Sequence, residues 1–228
     1  MTARISVAID GPAGAGKSTV ARRLAQVLGF AYLDTGAMYR AVTWKAIREE
    51  VSPGDEAAMA DLVEGCRIEL QTDMTSRETV VWLDGEDVSA FLRRPEVNKL
   101  VSRVAAIAAV REKMVERQRL LAAGGGIVAE GRDVGTEIIP EAQVKFYLTA
   151  SPGERAARRW AQLRQQGLAV SQESIEAEIR ERDRQDSQRE VGPLKVARGA
   201  IVVDTTGKTE DEVMAILVGY CPAQGEGG

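Results

Sequence analysis

The stretch Gly11-Pro12-Ala13-Gly14-Ala15-Gly16-Lys17-Ser18-Thr19 places three glycines, an ammonium group and two hydroxyls within nine consecutive residues. The spacing Gly11-x-x-x-x-Gly16-Lys17-Ser18 is that of a phosphate-binding loop. Its glycines can take positive φ angles, so that successive backbone N–H groups converge on phosphate oxygens. Lys17 can reach the β and γ phosphates of a nucleoside triphosphate, and the Ser18 hydroxyl is a hard oxygen donor suited to Mg²⁺. Such a loop works only between a strand and a helix. The apolar run Ile5–Ile9 reads as the strand, and Val20, Leu24 and Leu28 recur at helical spacing after it. A helix starting near Lys17 would aim its positive end at the phosphates, and Gly29 is placed to end it.

Four further stretches carry phosphate-handling side chains. In LDTGAMYR, residues 33–40, Asp34 closes an apolar strand, where it could organise Mg²⁺ through water. Thr35 is placed to cap the next helix, and Arg40 lies within that helix. In AEGRDVGT, residues 129–136, Arg132 and Asp133 follow a buried strand between two glycines. Strand C-terminal ends line the ligand crevice of parallel α/β sheets, so these two side chains are candidates for phosphate and base contacts. ERAARRW adds Arg155, Arg158 and Arg159. ERDRQDSQRE, residues 181–190, reads as helix, with Arg182, Asp186 and Arg189 on one face. A mobile, arginine-rich lid near 154–170, with a loop around Gly167, would close over a transferring phosphoryl group.

These residues need a scaffold, and the chain has room for one core with a small insert. It has 228 residues and a net charge of −4, with acids interleaved among its arginines. That balance does not suit a polynucleotide-binding face. No apolar stretch approaches about 20 residues, so no membrane span is expected, nor is a signal peptide. Cys66 and Cys221 form no CxxC pair and read as reduced cytoplasmic thiols. The absence of histidine excludes Ser-His-Asp triads, Cys-His nucleophiles and HExxH zinc sites. Strands are expected at Phe30–Leu33, Ile127–Glu130, Val144–Thr149 and Ala200–Asp204, alternating with helical patterns. The fold class is therefore α/β, a parallel sheet with helices on both faces. Residues 62–98 read differently, as short antiparallel strands turned at Gly85. They form an inserted lobe within a core of 1–61 and 99–228, and the last seven residues read as a frayed tail.

A GTP-dependent switch shares the loop, but no [NT]KxD follows it: Asn98-Lys99 leads into Leu100-Val101. Asp204-Thr205-Thr206-Gly207 matches DxxG only near the chain end and reads better as a strand end and turn. A protein that merely binds ATP would not need the second set of arginines. A phosphotransferase is expected, with another P-loop small-molecule kinase as the nearest alternative.

The ordered set of P-loop, LDTGAMYR, the lobe with GEDVS, AEGRDVGT, the lid arginines and ERDRQDSQRE resembles the bacterial-type cytidylate kinases, over nearly the whole chain. GRDVGT and the order are the specific part. The resemblance implies transfer of a phosphoryl group from ATP to CMP or dCMP, with UMP used poorly. It also implies Mg²⁺ dependence and a cytoplasmic, usually monomeric enzyme. It places Thr35, Arg40, Arg132 and Arg189 at the acceptor phosphate, and Asp186 at the ribose. It places Ser102, Arg111 and Asp133 at the base, and the lid arginines beside ATP. Ser102 and Arg111 lie on opposite faces of a straight helix, at about 100° per residue, so a helix break is expected between them. Ala108 stands there where some members have proline.

Overall fold

The computed structural model describes residues 5–72, 79–165 and 167–222. Glu78 of the expected ETVVWLD strand, Gln166 of the lid segment and the tail beyond Pro222 lie outside the described residues. In chain order the elements are β1 (Ser6–Asp10), α1 (Lys17–Leu28), β2 (Ala31–Asp34), α2 (Thr35–Arg48), α3 (Glu56–Glu64), β3 (Ile68–Thr72), β4 (Thr79–Leu83) and β5 (Glu86–Asp87). They continue as α4 (Pro95–Val104), α5 (Ala108–Ala122), β6 (Ile127–Gly131), a π-helical turn (Val134–Ile138), β7 (Val144–Thr149), α6 (Pro152–Gln165), α7 (Gln172–Ser187), β8 (Ile201–Asp204) and α8 (Glu210–Tyr220). No helix among the described residues is long and apolar enough to cross a membrane.

The chain divides into two compact units, one made of the residues up to Tyr32 and those from Gly124 onward, the other of Leu33–Ala123. The first unit is built on a five-stranded sheet in the order β2-β6-β1-β7-β8. β1 runs parallel to β6 and β7, and β7 parallel to β8. Asp10, the last residue of β1, sits opposite Gly131 and Tyr147, so the loops that follow β1, β6 and β7 leave from the same edge. The core forms where Val20, Leu24 and Leu28 of α1 and Val213, Met214 and Leu217 of α8 meet Val7, Ile9, Val128, Phe146 and Leu148 of the sheet. Burying one such side chain contributes about 1.5–3 kcal/mol before entropy opposes it. α6 and α7 pair through a smaller cluster of Ala156, Ile175 and Ile179, with Trp160 and Leu163 against it.

In the second unit β3, β4 and β5 form an antiparallel sheet. Its tight turn is Asp84-Gly85, with φ of 53° and 86°, the conformation that two-residue hairpins favour. Lys45 of α2 holds the turn through Asp84 at 2.6 Å. Trp44 stacks on Phe91 with ring centroids 4.8 Å apart. α2 packs on α4, and α3 on α5. This unit extends beyond the expected 62–98 lobe, because α2 packs on β4 and also on α3, α4 and α5.

Two local expectations change and a third holds. The cap of α2 is Asp34, not Thr35: its extended backbone, φ −86° and ψ 94°, lets its side chain accept from the Ala37 amide. α7 ends at Ser187, so Arg189 lies beyond the helix rather than on it. The chain does break between Ser102 and Arg111, where Ala105–Ile107 separate α4 from α5. Ala108 is the first residue of α5, a position where proline's fixed φ fits but is not required.

Candidate active site

The loop at residues 11–19 is shaped by its glycines. Gly11 has φ 149°, and a Cβ there would come within 2.0 Å of the Leu148 carbonyl oxygen. Gly14, at φ 79°, packs against the Arg155 side chain with no room to spare. Gly16, at φ 87°, turns the chain into α1. Pro12, Ala13, Ala15, Ser18 and Thr19 fill the remaining positions, with Ser18 and Thr19 in the first turn of α1. Lys17 is buried and donates to the Pro12 carbonyl at 2.9 Å. Its pKa is lowered to about 7, by burial first and then by the nearby Arg132 charge, against the opposing pull of Glu130 and Asp10.

Arg132 follows the end of β6. Its Nε donates to Asp186 Oδ2 at 2.7 Å. Arg189 donates to the other oxygen of the same carboxylate. Asp186 is fully buried, and burial alone would raise its pKa. The guanidiniums of Arg132, Arg189 and Arg182 outweigh that and hold it below the usual carboxylate range. Both of its oxygens are thus engaged in aiming arginines, an arrangement that suits an anionic ligand. Asp133 is buried beside this cluster, and its charge acts on Asp10.

The three lid arginines separate. Arg155 is buried, and its NH1 and NH2 donate to both oxygens of Asp183, at 3.1 and 2.5 Å. It also donates to the carbonyls of Ala13 and Ala150. It therefore braces the phosphate-binding loop from behind. Arg158 donates to Glu154 and to the hydroxyl and carbonyl oxygens of Thr205. Arg159 donates to Gln162 near the surface. A cleft of about 630 Å³ lies beside the loop, with Pro12, Ser151, Arg155, Asp183, Asp204 and Thr206 in its wall.

In the second unit, Thr35 is buried in the first turn of α2. The Arg40 guanidinium folds back over Gly36, where an added Cβ would come within 2.9 Å of Arg40 NH1. Ser102 is buried near the end of α4. Arg111, only 1 % exposed, donates to the Ala105 carbonyl released by the helix break, and its guanidinium lies 5.6 Å from the Tyr39 ring centre. The break thus supplies an acceptor for the arginine that follows it.

Sequence reasoning did not single out Asp10, Asp183, Gly36 or Glu130. Asp10 could have been noticed as the one charged residue in an otherwise uncharged strand. Asp183 and Glu130 have their partners Arg155 and Tyr32 too far away in the chain to signal themselves, whereas Gly36 lies close in sequence to the Arg40 that folds over it.

A phosphate-binding loop on a parallel sheet, with a buried arginine–carboxylate cluster in the same unit, defines a P-loop phosphotransferase. The model of the cytidylate kinase family matches residues 7–223. The chain belongs to the cytidylate kinase family. It is 50 % identical to the cytidylate kinase of Pelotomaculum thermopropionicum over 213 residues, covering 93 % of this chain and 94 % of that one. It is 49 % identical to that of Caldanaerobacter subterraneus subsp. tengcongensis over 210 residues, covering 92 % and 91 %. A bifunctional pantoate ligase/cytidylate kinase of Synechococcus sp. is 49 % identical over 208 residues, 91 % of this chain and 38 % of that one. Among solved structures, an uncharacterized protein from Eubacterium ventriosum superposes with a TM-score of 0.52 at 11 % identity, covering 95 % and 97 % of the two chains. That likeness concerns the fold alone.

Proposed function

We propose that the protein transfers the γ-phosphoryl group of ATP to CMP or dCMP, giving ADP and the corresponding diphosphate. The observation that carries this reading is the pair of guanidiniums aimed by one buried carboxylate, Arg132–Asp186–Arg189, in the unit that holds Lys17. A phosphate acceptor is already anionic near neutral pH, since its second pKa is about 6. The reaction then needs no general base, in keeping with a chain that lacks histidine. Charge neutralisation and positioning carry most of such a transfer.

In this reading Gly11–Thr19 bind the ATP phosphates and Lys17 neutralises the charge that develops on them. Arg132 and Arg189 hold the acceptor phosphate, with Thr35 and Arg40 contributing to CMP binding. Asp186 orients the two arginines and lies at the ribose. Asp133, Ser102 and Arg111 read the cytosine. Arg158 and Arg159 remain the lid candidates for ATP, while Arg155 acts from behind the loop.

The donor chemistry fits Mg²⁺, which takes hard oxygen ligands and keeps several waters. Ser18 offers a hydroxyl in the first turn of α1. Asp34 has one oxygen on the Ala37 amide, which leaves the other for a water-mediated contact. When bound with ATP, Mg²⁺ would neutralise phosphate charge. We take the enzyme to act as a cytoplasmic monomer on free nucleotides, without polynucleotide or membrane partners.

The test is a coupled assay with ATP and Mg²⁺ against CMP, dCMP, UMP, AMP, GMP and shikimate. CMP and dCMP should give the highest kcat/KM. Preference for AMP, GMP or shikimate would overturn the reading and favour a P-loop kinase with another acceptor.

A further inference from the structure

Asp10 ends β1, directly before the phosphate-binding loop, and its side chain is buried. Its Oδ1 accepts the Val134 amide and its Oδ2 the Gly135 amide, both at 2.8 Å. These two donors open the π-helical turn that immediately follows Arg132 and Asp133. No other residue of that turn could be a donor with so few atoms between it and the two functional side chains. The fit leaves no slack. A Cβ on Gly135 would meet Asp10 Oδ2 at 3.3 Å, Ala197 Cβ at 3.1 Å and Lys145 Cδ at 3.4 Å. Only an ionised carboxylate presents two acceptor oxygens to two converging N–H groups. An amide of the same shape presents one oxygen and one clashing NH₂.

We propose that Asp10 is a positioning residue for the acceptor side of the reaction: its carboxylate clasps the Val134 and Gly135 amides and so sets where Arg132 and Asp133 stand relative to the phosphate-binding loop. The inference rests on the reading of Arg132 and Asp133 as CMP-contacting residues. Burial makes the charge expensive, and that cost is offset in part because the carboxylate accepts both amides. A carboxylate retained at the root of both loops has a use if it fixes one loop against the other.

The test uses the full-length enzyme and the variants Asp10→Asn and Gly135→Ala, the second crowding the same clasp while Asp10 stays intact. Amide exchange at Val134 and Gly135 is followed by NMR in the nucleotide-free protein. Initial rates are measured with ATP, CMP and UMP varied in turn. Loss of a hydrogen bond to a charged acceptor corresponds to about 10–100-fold faster exchange at the two amides in Asp10→Asn. Both variants should raise KM for CMP and narrow the CMP over UMP preference, with KM for ATP held within about twofold. Unchanged exchange in Asp10→Asn would overturn the clasp itself. Equal rises in KM for ATP and CMP would reduce Asp10 to general support of the fold. Faster exchange with unchanged CMP kinetics overturns the positioning role if Arg132→Ala and Asp133→Asn still impair CMP use. If those two variants are also normal, the underlying reading of Arg132 and Asp133 has failed instead. Should Asp10→Asn not fold, Gly135→Ala carries the kinetic comparison alone, and normal CMP kinetics there would overturn the proposal.

Discussion

The replacement Asp183→Asn should destabilise the protein and weaken ATP use by way of Arg155. Arg155 is 3 % exposed and binds both oxygens of Asp183, itself 25 % exposed. Removing one partner of a buried ion pair costs about 3–5 kcal/mol, because the other charge stays buried without compensation. Two features reduce this. Solvent reaches Asp183 and screens the pair, and Arg155 keeps the Ala13 and Ala150 carbonyls. About 2–3 kcal/mol is therefore expected, a fall in Tm of about 4–12 °C for a chain of this size. Thermal unfolding by circular dichroism reads it directly. Arg155→Met should lose a similar amount, and the double variant much less than the sum, since both changes break the same pair. Because Arg155 NH1 holds a carbonyl of the phosphate-binding loop, KM for ATP should rise more than KM for CMP. Additive losses, or an Arg155→Met enzyme with wild-type Tm and a collapsed kcat, would refute the reasoning and return Arg155 to direct contact with the transferring phosphoryl group.

Lys17→Met should abolish phosphoryl transfer while calorimetry shows CMP binding nearly intact; wild-type turnover by the folded variant would contradict the role of the loop. Asp133→Asn should lower kcat/KM for CMP and narrow its advantage over UMP, because an amide can donate to the uracil O4 where a carboxylate cannot; one base contact is worth about 1–3 kcal/mol. Arg189→Ala should weaken CMP and UMP alike, and base-selective loss in that variant would argue against a phosphate contact. Burial raises the Asp10 pKa from 3.8 to about 6, against the pull of the Val134 and Gly135 amides and of Lys17, with Asp133 adding to the rise. Between those values the folded state binds more protons than the unfolded one, so this group's contribution to stability falls as pH rises from about 4 to 6, by about 3 kcal/mol. Urea unfolding of wild type and Asp10→Asn from pH 4 to 7 should show their difference moving in the variant's favour by up to that amount; a constant difference would exclude the titration.

Features whose physics is local were legible in the chain. The phosphate-binding loop needs glycines and a lysine at fixed spacing between a strand and a helix, and each requirement acts over a few residues. The Asp84-Gly85 turn announces itself because both residues must adopt positive φ. The interruption between Ser102 and Arg111 followed from helical geometry applied to residues paired by family resemblance, against a strong helix propensity in SRVAAIAAVRE. The sheet strands could be read from short apolar runs within a residue or so at their ends.

What the chain alone left undecided depends on partners far away in sequence or on a single dihedral angle. Nothing in ERAARRW distinguishes Arg155 from Arg158 and Arg159; packing of α6 on α7 through Ala156, Ile175 and Ile179 turns Arg155 inward to Asp183 and leaves Arg159 near the surface. Asp34 and Thr35 are both good caps by residue type, and the extended backbone at Asp34 decided between them. Asp186 resembles one more charge on a solvated helix until folding buries it between two guanidiniums. Asp10 meets its two amides across 124 and 125 residues of chain. Local propensity and spacing identify which chemical groups are present, because they act over one or two turns of chain. Only the packed sheet and helices decide which of those groups are desolvated and aimed, because burial and hydrogen-bond direction come from neighbours that the chain brings together last.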